Sequence, residues 1–323
     1  FKPREYQNLI INQILDKPRT AIWAGMGMGK TSSTLTALET MYLAGESRPT
    51  LVLAPLRVCN STWPEEAHKW AHLTEIDVQP VTGDEKNRLA ALKRDASIYA
   101  CNYQNIPWLV DHYGAHWPFG TVVADESTRL KSFRLRQGGV RAQALAKVAH
   151  KNVKRFINLT GTPAPNGLQD LWGQTWFLDA GQRLGRTYSA FTDRWFCRTA
   201  DGFGRELRSQ SAADEIYNKL RDICLTIEAR DWFDLKEPIV KEIEVEMPRS
   251  ARRLYDQLKK DLILQIEQHT ITAANAAVKT QKLLQMANGA AYVDPNTEDD
   301  HDPRAREYRI VHDAKLEALD SII

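Results

Sequence analysis

The chain has 323 residues, of which 43% are apolar and 26% charged, and its net charge is +2. This composition is ordinary for a globular protein, and the length suffices for two compact units with separate cores. No apolar run approaches the length of a membrane span, so we expect no membrane partner. The four cysteines have no metal-pair spacing, which predicts a reducing compartment and no structural metal.

The first half alternates short apolar runs with segments of helical periodicity. Six candidate strands cover residues 21–24, 50–54, 76–81, 98–101, 121–124 and 156–160. Candidate helices lie between them at residues 31–44, 64–71, 84–94 and 137–150. Strand–helix alternation at this spacing predicts an α/β fold, with a parallel sheet covered by helices on both faces. Functional sites of such sheets lie at the carboxyl ends of the strands.

Residues 24–31, which we call the phosphate loop, form a glycine-rich turn between the first candidate strand and the helix after it. Backbone N–H groups of such a turn, together with the helix dipole, cradle phosphate. We expect Lys30 to reach the β- and γ-phosphates and Thr31 to hold Mg²⁺. The other candidate nucleotide-binding residues of the turn are Gly25, Gly27 and Gly29. The strict pattern begins with glycine where this chain has Ala24, so an ordinary glycine turn is the alternative.

Two carboxylates, Asp125 and Glu126, end the fifth candidate strand and are called here the acidic pair. A phosphate-loop ATPase needs such a pair at a strand end. Asp125 would bind Mg²⁺ through water, and Glu126 would orient and deprotonate the attacking water. An acidic pair after a strand is also a common way to begin a loop, but the phosphate loop upstream favours the catalytic interpretation.

A basic segment follows, in which residues 129–155 carry nine Lys or Arg and no Asp or Glu. Such a cluster is a candidate contact for nucleic-acid phosphates. The residues chosen from it are Arg129, Lys131, Arg134 and Arg136. A solvated helix face beside an acidic site explains the same charges equally well.

Residues 158–166 close the sixth candidate strand with hydroxyls, a glycine and two prolines. Thr160, Gly161 and Thr162 are candidates for hydrogen-bonding the acidic pair and coupling it to the γ-phosphate. A proline-terminated turn fits the same residues.

Helical periodicity dominates after residue 168. Candidate helices cover residues 168–178, 211–225, 250–269 and 270–288, and one alternating strand is predicted at residues 239–247. An acidic turn is expected at 294–303. Residues 312–323 predict an amphipathic helix without a C-terminal cap, which we interpret as the beginning of a further domain.

These segments resemble, in order, the motifs of superfamily 2 helicase-type ATPases, and most of all the Swi/Snf branch. In the first half the matching residues are 2–7, 25–31, 51–56, 125–131, and 159–163 with Asn166. Later matches lie at 171–172, 177–179, 238–258, 282–289 and 315–319. Two segments depart from the family pattern: Ser127-Thr128 replaces Ala-His after the acidic pair, and residues 226–229 lack the usual basic stretch.

The resemblance implies a RecA-like ATP-binding lobe at 1–168, a mainly helical region at 169–309 and the beginning of a second RecA-like lobe at 310–323. It further implies that ATP and Mg²⁺ are the cofactors, that Gln7 reads adenine, and that double-stranded DNA is the track. Contacts to the DNA backbone are expected from Arg57 and from residues 102–104.

The sequence thus predicts the N-terminal part of an ATP-driven translocase or helicase-like motor. Its arginine finger would come from the second lobe, so we expect residues 1–323 alone to hydrolyse ATP poorly. The alternatives are a small-molecule kinase with a phosphate loop and a catalytically silent, nucleotide-gated binding module. The short first lobe points to a bacterial or phage source. That source would place the protein in the cytoplasm of a bacterium or an infected host, with a nuclear protein as the alternative.

Overall fold

The structure is a computed structural model that describes residues 2–199, 204–233, 241–267, 273–292 and 308–322. It separates into two compact units, Phe1–Lys236 and Glu237–Ile323. Among the described residues, no helix has the length and apolar character needed to cross a membrane.

The first unit alternates helices and strands through most of its length. Its helices are α1 (Glu5–Asp16), α2 (Lys30–Leu43), α3 (Trp63–Lys69), α4 (Glu85–Leu92), α5 (Ile106–Tyr113), α6 (Val140–Ala149), α7 (Asp170–Asp179), α8 (Tyr188–Trp195) and α9 (Gln210–Leu220). Its strands are β1 (Arg19–Ala24), β2 (Thr50–Ala54), β3 (Val78–Val81), β4 (Ile98–Asn102), β5 (Thr121–Asp125), β6 (Arg155–Thr160), β7 (Phe196–Arg198), β8 (Arg205–Leu207) and β9 (Cys224–Ile227).

Seven of these strands form one parallel sheet in the order β3-β4-β2-β5-β6-β1-β9. The predicted α/β class is confirmed, and each of the six predicted strands is present within one or two residues of its limits. The seventh strand, β9, is an addition to the prediction. The sequence placed residues 224 and 225 in a helix, whereas α9 ends at Leu220 and the chain then pairs beside β1.

The core lies in two layers, one on each face of the sheet. Successive side chains of a strand point to opposite faces, so Leu51 and Leu53 of β2 pack in one layer and Val52 and Ala54 in the other. Helices α1, α2 and α3 cover the second face, and α4 to α9 cover the first. This burial on both faces explains why the strands read as continuous apolar runs.

The second unit contains α10 (Arg249–Glu267), α11 (Ala273–Ala287), β10 (Ala290–Tyr292), β11 (Tyr308–Ile310) and α12 (Ala314–Asp320). β10 and β11 pair antiparallel. The strand predicted at residues 239–247 is wrong over its described part, because residues 241–248 have no regular secondary structure. Alternating side chains give a segment strand propensity, but a strand also needs a partner for its backbone, and the described residues supply none here.

Some predictions about the organisation of the chain remain predictions. The acidic turn at residues 294–303 lies outside the described residues, as do residues 239 and 240. The domain limits at 168 and 309 stay predictions.

Candidate functional site

The phosphate loop connects the carboxyl end of β1 to the first turn of α2. Gly27 and Gly29 have φ values of 75° and 68°, a left-handed backbone that glycine adopts at little cost. Helix α2 begins at Lys30, directly after Gly29. The turn therefore places its backbone N–H groups at a helix N-terminus, which is the arrangement that binds phosphate.

Lys30 lies inside this loop and interacts electrostatically with both residues of the acidic pair. Its Nζ donates to the carbonyl oxygens of Ala24 at 2.7 Å and Gly25 at 3.0 Å. Burial lowers the pKa of Lys30, and the negative charges of Asp125 and Glu126 act in the opposite direction. The lysine therefore lies close enough to both carboxylates for their charges to act on it.

Asp125 ends β5 and is 9% exposed. Its Oδ2 accepts a hydrogen bond from Trp63 Nε1 at 3.0 Å, and its main-chain oxygen accepts one from the Tyr103 hydroxyl at 2.9 Å. Burial raises the pKa of Asp125, while the bond from Trp63 opposes that rise. Trp63 therefore fixes the carboxylate of this residue and Tyr103 fixes its main chain, each from another part of the chain.

Glu126 begins the short helical turn that follows β5, and its backbone is left-handed at φ 59° and ψ 54°. A non-glycine residue in this conformation costs on the order of 1–3 kcal/mol and persists only where neighbouring contacts impose it. The charge of Glu126 acts on both Asp125 and Lys30, so its carboxylate lies close to these two residues.

The predicted coupling residues lie between the two motifs, because β6 separates β5 from β1 in the sheet. Thr160 pairs in register with Trp23 and is fully buried, and its Oγ1 accepts from the Thr162 N–H at 3.2 Å. A Cβ added to Gly161 would lie 3.5 Å from the Ala24 oxygen, so this loop touches the beginning of the phosphate loop.

Gln7 and the phosphate loop line one cavity of about 460 Å³. Gln7 Oε1 accepts from the Arg4 N–H at 2.9 Å, and the Gln7 amide lies against Gly29. Trp70 and Phe233 also line this cavity, and the Arg4 guanidinium lies over the Phe233 ring at 5.0 Å from its centroid. A cavity of this size, lined by a phosphate-binding loop and by aromatic rings, fits a nucleotide.

A second cavity of about 380 Å³ lies at the opposite, amino edge of the sheet. Its acidic lining residues are Glu46, Glu75, Asp77 and Asp95, and no Lys or Arg is among the described residues that line it. Carboxylates without a cation repel a triphosphate, so charge selects the first cavity as the candidate nucleotide site.

The residues around the phosphate loop also suit Mg²⁺. No group of three or more His, Cys, Asp or Glu in the described chain could hold a metal by itself. Mg²⁺ in nucleotide sites needs only one or two carboxylates together with substrate phosphates and water. Asp125 and the hydroxyl of Thr31 match that requirement in type.

The structure distributes the basic segment over two edges of the sheet. Lys131 pairs with Asp170 at 3.2 Å, and Arg134 donates to the Lys131 carbonyl and lies 3.4 Å from the centroid of the Tyr188 ring. Lys154 pairs at 3.4 Å with Glu46, which belongs to the amino edge. Arg129 and Arg136 remain exposed. These contacts occupy about half of the residues chosen from the sequence as nucleic-acid contacts.

The carboxyl edge keeps a smaller set of exposed polar residues. Arg57 follows β2, Gln104 follows β4 and Arg129 follows β5, on three neighbouring strands. Asn102 and Tyr103 are buried, and Tyr103 contacts Asp125 instead of facing outward.

Four residues of the site gave no sequence signal for the parts they play. Trp63 and Tyr103 hold Asp125, Gln174 of α7 accepts from the Ser127 hydroxyl at 2.8 Å, and Phe233 lines the candidate nucleotide cavity. Each lies far along the chain from its partner. Tyr103 belongs to residues 102–104, which the resemblance assigned to contacts with the DNA backbone.

Comparison with known families finds a match between residues 19–290 and the SNF2-related domain. The chain is 56% identical over 328 aligned positions to "Putative protein p41" of Acyrthosiphon pisum secondary endosymbiont phage 1, covering all of this chain and 69% of that protein. It is 26% identical to "Helicase SWR1" of Yarrowia lipolytica, over 73% of this chain and 13% of that protein.

Among solved structures, the fold is similar to the Sulfolobus solfataricus SWI2/SNF2 ATPase core in complex with dsDNA. The TM-score is 0.57 at 21% identity, and the alignment covers 90% of this chain and 59% of that one. The same core solved as a domain gives a TM-score of 0.54. The chain therefore spans a little over half the length of the ATPase core that it resembles.

Proposed function

Because this chain belongs to the SNF2-related domain family and carries an SNF2-type ATPase core, we propose that it binds ATP with Mg²⁺ and drives movement along double-stranded DNA. The observation that carries the proposal is the shared position of Lys30, Asp125 and Glu126 at one edge of the sheet. There the two carboxylate charges oppose the lowering of the Lys30 pKa by burial, and the Lys30 charge opposes the rise of the Asp125 pKa by burial. A phosphate cradle beside two carboxylates is the arrangement that triphosphate hydrolysis requires.

Each proposed role follows from the position of the residue. Gln7 contacts the base, the amides of residues 25–31 surround the phosphates, and Lys30 neutralises the β- and γ-phosphate oxygens. Thr31 and Asp125 hold Mg²⁺, which when bound supplies charge neutralisation at the phosphates.

Glu126 orients the attacking water and takes its proton. Thr160, Gly161 and Thr162 lie between the two motifs and couple them. The domain limits predicted at residues 168 and 309 belong to the same proposal, as does action in the cytoplasm of a bacterium or phage-infected host. The phage relative supports a phage source.

Hydrolysis by residues 1–323 alone should be slow. A second RecA-like lobe in the same protein would supply an arginine that stabilises the transition state, and arginine fingers contribute on the order of 10³–10⁵ in rate in GTPases. We therefore expect the isolated chain to bind ATP, and we assign rapid turnover to the full-length protein.

For the DNA track we propose the carboxyl edge near Arg57, Gln104 and Arg129, with Arg136 beside it. These residues are exposed and lie on or near neighbouring strand ends. Contacts of this kind go to phosphates and give affinity without sequence choice. The similar archaeal core was solved in complex with dsDNA, which supports this choice of partner.

Steady-state ATPase of the full-length protein, with and without double-stranded DNA, tests the proposal. We expect turnover that rises with DNA. ATP binding without hydrolysis would support a nucleotide-gated clamp, phosphate transfer to a small molecule would support a kinase, and absence of ATP binding would overturn the assignment altogether.

The DNA surface has its own test. Replacing Arg57 or Arg129 by alanine should weaken DNA binding equally for all sequences and reduce the salt slope by about 1 per contact. Lys154→Ala, an exposed cation paired with Glu46 at the amino edge, is the matched control and should leave DNA binding unchanged.

A further inference from the structure

Helix α7 carries Asp170, Gly173 and Gln174, which lie three and four residues apart and therefore on one face of the helix. That face packs on the turn that follows the acidic pair and on the loop after β6, residues 160–166. Its contacts connect these two segments, which follow the neighbouring strands β5 and β6.

Gln174 makes the central connection. Its Oε1 accepts from the Ser127 hydroxyl at 2.8 Å, and its Nε2 donates to the Pro163 oxygen at 2.6 Å and to the Asp170 oxygen at 3.0 Å. Ser127 is fully buried and Gln174 is 4% exposed. Both ends of the amide are thus satisfied, and a fully satisfied buried network holds its members in one arrangement.

A second connection runs beside it. The Asp170 carboxylate accepts from Lys131 Nζ at 3.2 Å and from the Asn166 N–H at 3.0 Å. Between the two connections, a Cβ added to Gly173 would lie 2.5 Å from the Lys131 oxygen. The helix approaches this turn so closely that only glycine fits at the contact.

These contacts bear on Glu126, whose left-handed backbone must be imposed by its surroundings. On its N-terminal side, Tyr103 holds the Asp125 oxygen. On its C-terminal side, the first anchored side chain is that of Ser127, bound to Gln174. The strained residue is therefore fixed between two buried hydrogen bonds.

We propose that the bridge Ser127–Gln174–Pro163 is a positioning device that holds Glu126 in its strained conformation and connects the acidic pair to the loop after β6. The inference rests on the proposed ATPase function. Gln174 and Ser127 are positioning residues, since neither reaches the reacting atoms. Their loss should lower kcat and leave the KM for ATP unchanged, because their side-chain hydrogen bonds go to segments other than the phosphate loop.

The test is a double-mutant cycle in the full-length protein with Ser127→Ala, Gln174→Leu and the combined variant. Each single change leaves a buried polar group without its partner, which lowers stability, whereas removing both partners of a hydrogen bond is nearly neutral. We expect the combined variant to have a higher Tm than Gln174→Leu, because the Ser127 hydroxyl is no longer left unpaired and only the Pro163 oxygen lacks its donor. Its kcat should stay roughly ten- to a hundredfold below wild type, the loss that a displaced reacting group produces.

Gln169→Leu is the matched control. This glutamine precedes the same helix and also makes two hydrogen bonds, with the Tyr188 hydroxyl and the Arg205 oxygen, both away from the acidic pair. It should lower Tm without lowering kcat. A kcat that recovers together with Tm in the combined variant, or that falls as far in Gln169→Leu, would overturn the inference.

Two further outcomes separate this inference from the proposed function. If Glu126→Gln abolished turnover and Gln174→Leu left it unchanged, only the proposal about the bridge would be overturned. A wild-type protein without ATP binding or turnover would overturn both the proposal about the bridge and the proposed function. Should Gln174→Leu fail to fold, Ser127→Ala deletes a single oxygen and carries the test.

Discussion

The phosphate loop and the acidic pair are built in different ways, although they lie at the same edge of the sheet. The loop takes its shape from consecutive residues: two glycines with positive φ, a helix that begins at Lys30, and a lysine bonded to the loop's own carbonyls. The acidic pair takes its shape from distant residues, since Trp63 and Tyr103 hold Asp125 and Gln174 holds Ser127, the residue that follows the pair.

This difference shows which part of the site is vulnerable to remote changes. A loop made of local backbone geometry responds mainly to changes within itself. A carboxylate pair that is buried and strained responds to substitutions at residues far from it along the chain.

The largest effect should come from Glu126→Gln in the full-length protein. The amide keeps the shape of the side chain but cannot take a proton, and general-base catalysis typically contributes 10²–10⁴-fold. We expect kcat to fall by that order while ATP binding persists, measured by turnover and by titration with a fluorescent nucleotide. Unchanged turnover would contradict the role of the acidic pair.

Lys30→Ala tests the phosphate loop, the part of the site that is built from consecutive residues. Removing a charge-assisted contact to phosphate costs about 1.5–3 kcal/mol, so ATP should bind roughly 10- to 100-fold more weakly. Equilibrium binding to residues 1–323 suffices to measure it. The neighbouring Met26, 94% exposed on the same loop, offers Met26→Ala as the control, which should bind ATP as wild type does.

Trp63→Phe tests the acidic pair, the part of the site that is held by residues far along the chain. It removes the hydrogen bond to Asp125 and keeps a buried ring, and loss of such a supporting contact typically weakens metal binding by about tenfold or more. The Mg²⁺ concentration needed for half-maximal turnover should rise accordingly. Trp117→Phe is the matched control, because Trp117 is buried and its indole N–H has no hydrogen-bond partner within the described part of the chain. An equal rise in that control would show a general packing effect.

The smallest effect concerns stability. Because burial raises the pKa of Asp125, the folded chain holds that proton more tightly than the unfolded chain does. Ionisation therefore lowers stability as pH rises from the unfolded pKa through the folded one, and the cost is fully present above the folded pKa. Without nucleotide, Asp125→Asn should raise Tm at pH 7 while abolishing Mg²⁺-dependent turnover.

Substitutions that remove such functional strain commonly stabilise by roughly 0.5–2 kcal/mol. The gain should shrink on acidification, once Asp125 is protonated in both states. Asp214→Asn, at an exposed carboxylate of α9, should show no such gain. A lower Tm for Asp125→Asn at neutral pH would mean that the ionised carboxylate stabilises the fold.

The sequence alone determined the α/β class, six strands of the main sheet and the positions of the phosphate loop and the acidic pair. These features depend on contiguous signals: apolar runs of strand length, a glycine turn before a helix, and carboxylates at a strand end. The family could be identified for the same reason, because its motifs are short and ordered along the chain.

Only the tertiary structure decided the rest. It added β9 to the sheet, separated Lys154 from Arg129 by placing them at opposite edges, and brought Trp63 and Gln174 to the acidic pair. A charge or an amide carries no local signal of the partner it will meet far along the chain. Those partners are chosen when the sheet closes and the helices pack on it, because packing fixes the distances that hydrogen bonds and ion pairs require.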